Sequence, residues 1–531
     1  MGKKKKEVYL YNGRYKGTKL TDEVCDKLET IRKVDKENGC IEDLKHIIYE
    51  LNPSDVQLIR ETGSTEFVEK RFGTLENQQT TAVAYMFFAK RLILGDSVGL
   101  GKTVEVAGLC NLIESQIAKE DMDFRCLLLT EKAVMEETCS KMIKFTGNYY
   151  EVLYGEADKV EKYKKKWKGD LPPNTVGSHS LFTSVPFQEY VKGFVEKYGY
   201  APFDILIVDE AGSILTNTAT KTYVAATYFE KIFDRIILLN ATTFEKELIN
   251  FYSQINFLDN TLLPTKGEFE KRYKQLEWGI MPYPVFRGKY KNQVEFRQLV
   301  GYRYLQRTRK SLGAKMEDCT ADVIVSQLSP EQKKLLNMVS MPQMVWDCPS
   351  YFSSFMPGIE TNVETTPKLK DLLDLVEKLK DEGPILVYSR YKEAQKCIYE
   401  ELRERDYTCE IMNGETDAQV RKNLIDSFQL GDIKVLVTNV QKGLDFGNCN
   451  YCIFYDYDPN PNKMVQFEGR MTRERDIIGK HVYVLVSKGK ELSTFKKTVA
   501  DRAQASDLFA GSDYSCVLSL LLDNDKLKNI K

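Results

Sequence analysis

The sequence predicts an α/β protein made of two separate parallel-sheet blocks. Short, continuous apolar runs alternate with amphipathic stretches, and this alternation occurs twice, on either side of a segment of different composition. The first set is Leu92-Ile93-Leu94, Cys126-Leu127-Leu128-Leu129, Ile205-Leu206-Ile207-Val208 and Ile236-Ile237-Leu238-Leu239. The second is Ile385-Leu386-Val387-Tyr388, Val435-Leu436-Val437, Tyr451-Cys452-Ile453-Phe454 and Val482-Tyr483-Val484-Leu485. Runs that are apolar on both faces, bounded by turn residues and separated by helical stretches, belong to strands covered by helices on both sides.

Length agrees with more than one block, because 531 residues exceed what a single hydrophobic core supports. Residues 1–72 read as a charged N-terminal accessory region with helical patches at 21–34 and 42–51. Residues 73–262 form the first block. From 263 to 365 a basic, aromatic, Pro-interrupted stretch and a polar linker separate the blocks, and this part is expected to be a helical protrusion and linker. Residues 366–500 form the second block, and 501–531 a C-terminal helical brace.

Composition excludes several classes. No apolar run approaches the roughly 18 residues that span a bilayer. The basic start, Met1-Gly2-Lys3-Lys4-Lys5-Lys6, has no apolar segment behind it and reads as a solvated tail, not a secretory signal. Lys6 stands where a myristoylation motif needs Ser or Thr. Twelve cysteines without repeated spacing suit a reducing compartment. The one Cys-x-x-Cys, Cys449 and Cys452, has no second pair, and with three histidines (His46, His179 and His481) no structural zinc is expected. A net charge of −1 gives no long-range attraction for nucleic acid, so any such site rests on local clusters.

Three motifs carry chemistry. Asp96-Ser97-Val98-Gly99-Leu100-Gly101-Lys102-Thr103 follows a strand-like run and precedes a helical pattern, the setting a phosphate-binding loop requires. Its backbone N–H groups would wrap phosphates, Lys102 would reach the terminal ones, and Thr103 would ligate magnesium. Asp209-Glu210 ends the strand-like 205–208: Asp209 would hold the metal and Glu210 would orient and deprotonate the attacking water. In Gln466-Phe467-Glu468-Gly469-Arg470-Met471-Thr472-Arg473, Arg470 and Arg473 share one helix face; taken alone they are a solvated face, and facing phosphates they would act as arginine fingers.

Together these elements resemble the Swi/Snf-like family of helicase superfamily two, the double-stranded-DNA translocase ATPases. The likeness covers roughly residues 73–490. Asp-x-x-Gly-Leu-Gly-Lys-Thr at 96–103 is similar to that family's variant loop, with Asp96 in place of the first glycine. Residues 239–248, running on to Asn256-Phe257-Leu258, keep the register of its third motif. Leu305-Gln306-Arg307-Thr308-Arg309-Lys310, then Leu328-Ser329-Pro330-Glu331-Gln332, match its bridge between lobes. Gln79 stands where the family places an adenine-reading glutamine. Gly443 and Asp445 resemble its fifth motif, and Gln466, Arg470 and Arg473 its sixth. The sequence departs from the pattern at Gly212, where His is usual, and at Asn240, Thr243, Ser97 and Phe467. These positions bear on coupling; the hydrolytic set Lys102, Thr103, Asp209, Glu210, Arg470 and Arg473 is intact.

The resemblance implies two RecA-like domains, ATP with Mg2+, and movement on duplex DNA through backbone contacts. It implies nucleotide contacts from Gln79, residues 96–103, Gly443, Asp445 and Gln466, with Thr103 and Asp209 at the metal. DNA contacts are expected from Thr183 and Ser184 and, in the basic stretch from Phe286 to Lys310, from Arg287, Arg303 and Arg307. The lysine run Lys162-Tyr163-Lys164-Lys165-Lys166-Trp167-Lys168 reads first as a solvated helix face. The expected protein is a monomer of a bacterial or phage-infected cytoplasm, with residues 1–72 as the candidate partner-binding part. Strand separation or branch migration, dislodging of a DNA-bound protein such as RNA polymerase, and a decayed DNA-binding scaffold are the alternatives to translocation.

Overall fold

The computed structural model describes residues 10–11, 14–15, 20–36, 76–118, 123–240, 248–277, 285–309, 311–313, 315–336, 366–440, 446–458, 461–472, 476–507 and 517–523. The chain divides into two compact units, residues 1–97 with 101–307, and residues 308–531 with 98–100.

The first unit is built on a seven-stranded, wholly parallel sheet. Its strands are β1 (Arg91–Leu94), β2 (Cys126–Thr130), β3 (Glu151–Leu153), β4 (Asn174–Ser178), β5 (Ile205–Val208), β6 (Arg235–Leu239) and β7 (Tyr304–Leu305). They lie in the order β7-β1-β6-β5-β2-β4-β3. Every residue of β1, β2 and β5 is buried, as helices on both faces require. On one face, helices α1 (Asp22–Lys36), α2 (Asn77–Ala89) and α3 (Lys102–Ala118) share a core that includes Leu28, Ile31, Tyr85, Leu109 and Leu128.

Two parts of the expected organisation change here. Helix α1, assigned to a separate accessory region, buries Leu28, Ile31 and Val34 in the first unit's core. Arg32 on the same helix donates to the carbonyls of Gly301 and Tyr304, the latter at 2.6 Å. The segment 263–365 is no purely helical insertion. It has helices Lys266–Tyr273 and Gln293–Val300, an antiparallel ladder of Lys274–Glu277 with Val285–Tyr290, and one strand in each large sheet.

The second unit carries a six-stranded parallel sheet of β8 (Thr320–Ser326), β9 (Ile385–Tyr388), β10 (Cys409–Met412), β11 (Val435–Thr438), β12 (Tyr451–Phe454) and β13 (His481–Ser487). Their order is β8-β13-β12-β9-β11-β10. The two sheets are the RecA-like pair expected from the sequence. Lys368 and Glu491 form a fully buried ion pair at 2.9 Å, and the second Glu491 oxygen accepts the Ser487 N–H at 2.7 Å. Glu468, also buried, accepts the N–H groups of Val517 and Leu518, which fixes the C-terminal segment on this unit.

Asp456, at the end of β12, accepts from Ser389 Oγ at 2.9 Å and from the Arg390 N–H at 2.9 Å. Burial pushes its carboxyl up from 3.8 to about 6, with Lys368 and these donors acting against the rise. Between those two values the folded chain holds a proton that the unfolded chain has lost. The associated stability is present below pH 3.8 and is lost as pH rises through about 6. Asp456→Asn cannot ionise, so its melting temperature relative to the parent is expected to improve between about pH 4 and about pH 7. A difference between the two proteins that is flat across this window contradicts the assignment.

Candidate nucleotide site

The loop after β1 is anchored before it reaches its glycines. Gly95 and Ser97 N–H groups donate to the carbonyls of Leu305 and Arg307 at 2.8 and 3.0 Å, which continues the β1–β7 ladder. Asp96, fully buried, accepts the Arg307 N–H at 2.8 Å and the Arg307 guanidinium. The carboxylate at the expected first-glycine position is therefore a clamp on the bridge segment. Its backbone carbonyl, with that of Ser97, accepts from Lys102 Nζ at 2.5 and 3.2 Å.

Gly99 and Gly101 both have φ near +88°, a conformation in which only glycine is unstrained. At Gly101 space is also closed, since a Cβ there would meet Gln79 Nε2 at 2.4 Å. Gln79 Oε1 accepts the Glu76 N–H at 3.2 Å, so the helix start orients this amide beside the loop. Helix α3 begins at Lys102, so the positive end of its dipole adjoins the loop; the Val104 and Glu105 N–H groups of its first turn are tied back to the Gly101 carbonyl at 2.8 and 3.1 Å. Burial pushes the Lys102 ammonium below its usual range, while Asp96, Glu210, Asp209 and Glu105 act against the shift. A cation held this way is matched to an anion brought from outside. The glycine turn, helix N-terminus and lysine fit a nucleotide phosphate chain.

Asp209 and Glu210 follow β5, two strands from β1 in the sheet. Asp209 takes Thr130 Oγ1 on one carboxylate oxygen at 3.2 Å and the Glu210 N–H on the other at 3.0 Å. Its backbone carbonyl accepts from His179 Nε2 at 2.7 Å. Glu210 has φ +48° and ψ +41°, left-handed for a non-glycine residue, at a cost of about 1–2 kcal/mol. Its carbonyl accepts the Ser213 N–H and Oγ at 3.0 and 2.8 Å. Each such bond contributes on the order of 1 kcal/mol, so the set is of the size needed to hold the strained turn.

Asn240, at the end of β6, completes the shell. Its Oδ1 accepts the Gly212 N–H at 2.7 Å, and its Nδ2 donates to Gln254 Oε1 at 2.5 Å. A Cβ at residue 212 would sit 3.2 Å from Asn240 Oδ1. Thus Gly212 and Asn240, two departures from the family pattern, fit each other. The sequence shows neither that pairing nor the place of His179 in the site. Asn240 lies in the third-motif register, which is the signal for it; His179 has none.

The expected DNA residues fare differently. Arg307 is 3% exposed and pairs with Asp96, Glu105 and Asp35; Arg303 is 4% exposed and pairs with Asp259 at 3.3 Å. Arg303 also donates to the carbonyls of Ala89 and Arg91 at 3.1 and 3.2 Å. Both guanidiniums are consumed inside the first unit, which corrects their assignment as DNA contacts. Thr183 is exposed, while Ser184 Oγ donates to Gly155 O at 2.6 Å. Arg287 lies on the strand Val285–Tyr290 of the two-stranded antiparallel ladder. In the lysine run, Lys164 pairs with Glu161 and Lys166 with Glu151, as a solvated helix face would.

In the second unit, Gln466 and Arg470 are half-buried, and Arg470 O accepts the Phe446 N–H at 2.9 Å. Phe467, where the family has Arg, is fully buried against Tyr388 and Phe454. Gly443, Asp445, Arg473 and Thr243 lie outside the described residues. Among the described residues no helix is long and apolar enough to cross a membrane.

Residues 78–362 match the SNF2-related domain, and residues 367–475 match the helicase conserved C-terminal domain. The chain belongs to the SNF2-related family of helicase-like ATPases. It is 24% identical over 432 residues to the SWI/SNF-related matrix-associated actin-dependent regulator of chromatin subfamily A-like protein 1 of Xenopus tropicalis, covering 75% of this chain and 41% of that protein. It is 23% identical over 487 residues to Zorya protein ZorD of Escherichia coli, covering 80% and 44%. With the mouse DNA repair and recombination protein RAD54B it shares 20% over 469 residues, covering 75% and 51%. The chain thus spans about half or less of the length of these relatives.

Proposed function

We propose that this SNF2-related chain is an ATP-hydrolysing motor that moves along duplex DNA without regard to sequence, in DNA replication, repair or recombination. One observation carries the reading: the loop that ends in Lys102 follows β1 and Asp209-Glu210 follow β5, two strands away at the same, C-terminal end of one parallel sheet, so cation, candidate metal ligand and candidate base share that edge. In this reading Gln79 reads adenine, and the N–H groups of residues 96–103 with Lys102 hold the phosphates. Thr103 and Asp209 would hold magnesium, which when bound draws charge from the phosphate oxygens. Glu210 accepts a proton from the attacking water as that water approaches the γ-phosphate.

The roles of Gly443, Asp445 and Gln466 as nucleotide contacts, and of Arg470 and Arg473 as stabilisers of the transferring phosphoryl group, rest on the family pattern. Duplex DNA as the track is supported by that pattern and by the repair function in the name of the mouse relative. With net charge −1, affinity must come from local backbone contacts, among which Thr183, Ser184 and Arg287 are the candidates. Turnover of ATP by the purified chain is expected to rise roughly tenfold or more when linear duplex is added. In the same reactions a third strand is expected to be displaced from a triplex while the underlying duplex stays paired. Turnover indifferent to duplex, or separation of the duplex strands, overturns the translocase reading.

A further inference from the structure

The Asp209–Glu210 peptide is gripped by a side chain from the turn that follows β4. A carbonyl oxygen only accepts, so the 2.7 Å contact between His179 Nε2 and Asp209 O requires the Nε2–H tautomer, with the ring as donor. The peptide plane whose oxygen His179 holds is also the plane that sets φ of Glu210. That φ is +48°, where a residue with a Cβ does not rest unaided. Around the same turn, Asn240 holds the Gly212 N–H and Ser213 holds the Glu210 carbonyl. The same peptide's N–H is held at 3.0 Å by Asp209 Oδ1, within its own turn, so removing the His179 bond takes away the restraint on the peptide that comes from outside the turn and lets Glu210 relax toward ordinary helical or extended backbone.

His179 opens the short 3-10 turn His179–Thr183 that follows β4. Its neighbours are tied in turn: Ser178 Oγ and Ser180 Oγ lie 2.6 Å apart, Thr183 Oγ1 donates to Ser180 O at 3.1 Å, and Ser184 Oγ to Gly155 O. Movement of this turn is therefore transmitted to Asp209 O through one side chain. The position at which the family carries histidine, 212, is glycine in this chain. The ring that reaches the metal-and-water turn comes instead from β4, on the far side of β2 from β5.

We propose that His179 is a positioning residue for hydrolysis: by holding the Asp209 carbonyl it keeps Glu210 in the left-handed conformation that aims its carboxylate, and it links that aim to the 179–184 turn. The inference rests on the motor reading above for the role of Glu210 and for Thr183 and Ser184 as backbone contacts. Misplacement of a catalytic group by about 1 Å costs on the order of 100-fold in rate.

The test compares His179→Ala, His179→Asn and His179→Gln in the full chain, measuring kcat and KM for ATP with and without duplex, duplex Kd, and melting temperature. Gln carries an N–H donor about as far from the backbone as Nε2, whereas Asn is one methylene shorter. The Ala and Asn variants are expected to lose roughly 10- to 100-fold in kcat, with the larger loss in the presence of duplex. KM for ATP and duplex Kd should stay within about twofold, and Gln should recover most of the lost rate. A kcat for His179→Ala close to the parent overturns the proposal, and so does a Gln variant as slow as Asn. Where the alanine variant fails to fold, the Gln and Asn pair decides the matter alone. A parent enzyme that hydrolyses ATP but ignores duplex counts against the DNA motor; the kcat comparison without DNA then still decides the role of His179.

Discussion

Replacing Arg307 with alanine is expected to destabilise the first unit by about 3–5 kcal/mol, the size seen when one partner of a buried ion pair is removed. The guanidinium touches Asp96 and Glu105, both fully buried, and lies 3.6 Å from Asp35 on α1. Three carboxylates around one cation already leave a surplus of negative charge. Burial pushes Glu105 up to about 8 even with Arg307 opposing the shift, and Glu105 Oε2 has no hydrogen-bond partner among the described residues. Without the cation, two buried carboxyl groups lose the donor they share, and the water they must then admit opens the loop whose Lys102 they flank. Lysine in place of Arg307 is not a conservative repair: Nη2 serves both Asp96 and Glu105 while Nη1 donates to the Gln78 carbonyl, a second direction that a single ammonium does not reproduce.

Urea unfolding of the parent and of Arg307→Ala measures the loss, and nucleotide affinity should fall with it because the loop hangs from the same residue. The alternative role makes an opposite forecast. A DNA contact would leave unfolding unchanged and weaken duplex binding, with a shallower dependence on salt. A variant of parental stability with selectively weakened DNA binding would return Arg307 to the DNA surface.

This arginine also explains where sequence reading succeeds and where it stops. Central strands are legible because burial on both faces forces uninterrupted apolar runs, and 92–94, 126–129, 205–208, 236–239 and their counterparts in the second half all lie in sheet strands. Strand β4 is Asn174-Thr175-Val176-Gly177-Ser178, fully buried yet mostly polar, because Asn174 and Thr175 satisfy their side chains on neighbouring backbone. It leaves no apolar signature, and nothing in the sequence marks His179 at its end as a site residue. A basic residue among tyrosines suggests DNA only while its acidic partners are unknown. Those of Arg307, Asp96 and Glu105, lie 211 and 202 residues away in sequence, and the fold alone brings them together. The phosphate loop could be read because its chemistry is local: turn, helix N-terminus and lysine are consecutive.

Glu210→Gln is expected to lower kcat for ATP by roughly 10²- to 10⁴-fold, the contribution of a positioned general base, while ATP affinity is kept. The substitution is close to isosteric, and every hydrogen bond given above for residue 210 uses its backbone: the N–H to Asp209 Oδ1 and the carbonyl to Ser213. The left-handed turn should therefore survive, and stability should change by no more than about 0.5 kcal/mol. What the amide removes is the proton acceptor and one of the negative charges facing Lys102. With that charge gone, the Lys102 ammonium has less to hold it within the protein and is more available to a phosphate, so binding should hold or tighten as turnover collapses. Steady-state turnover together with binding of a fluorescent ATP analogue separates the two quantities. Loss of both would mean that Glu210 shapes the cradle instead of acting on water, whereas loss of neither would move the base to another residue. Only the split outcome, binding kept and turnover lost, matches a carboxylate held in a strained conformation so that it points at the reacting water.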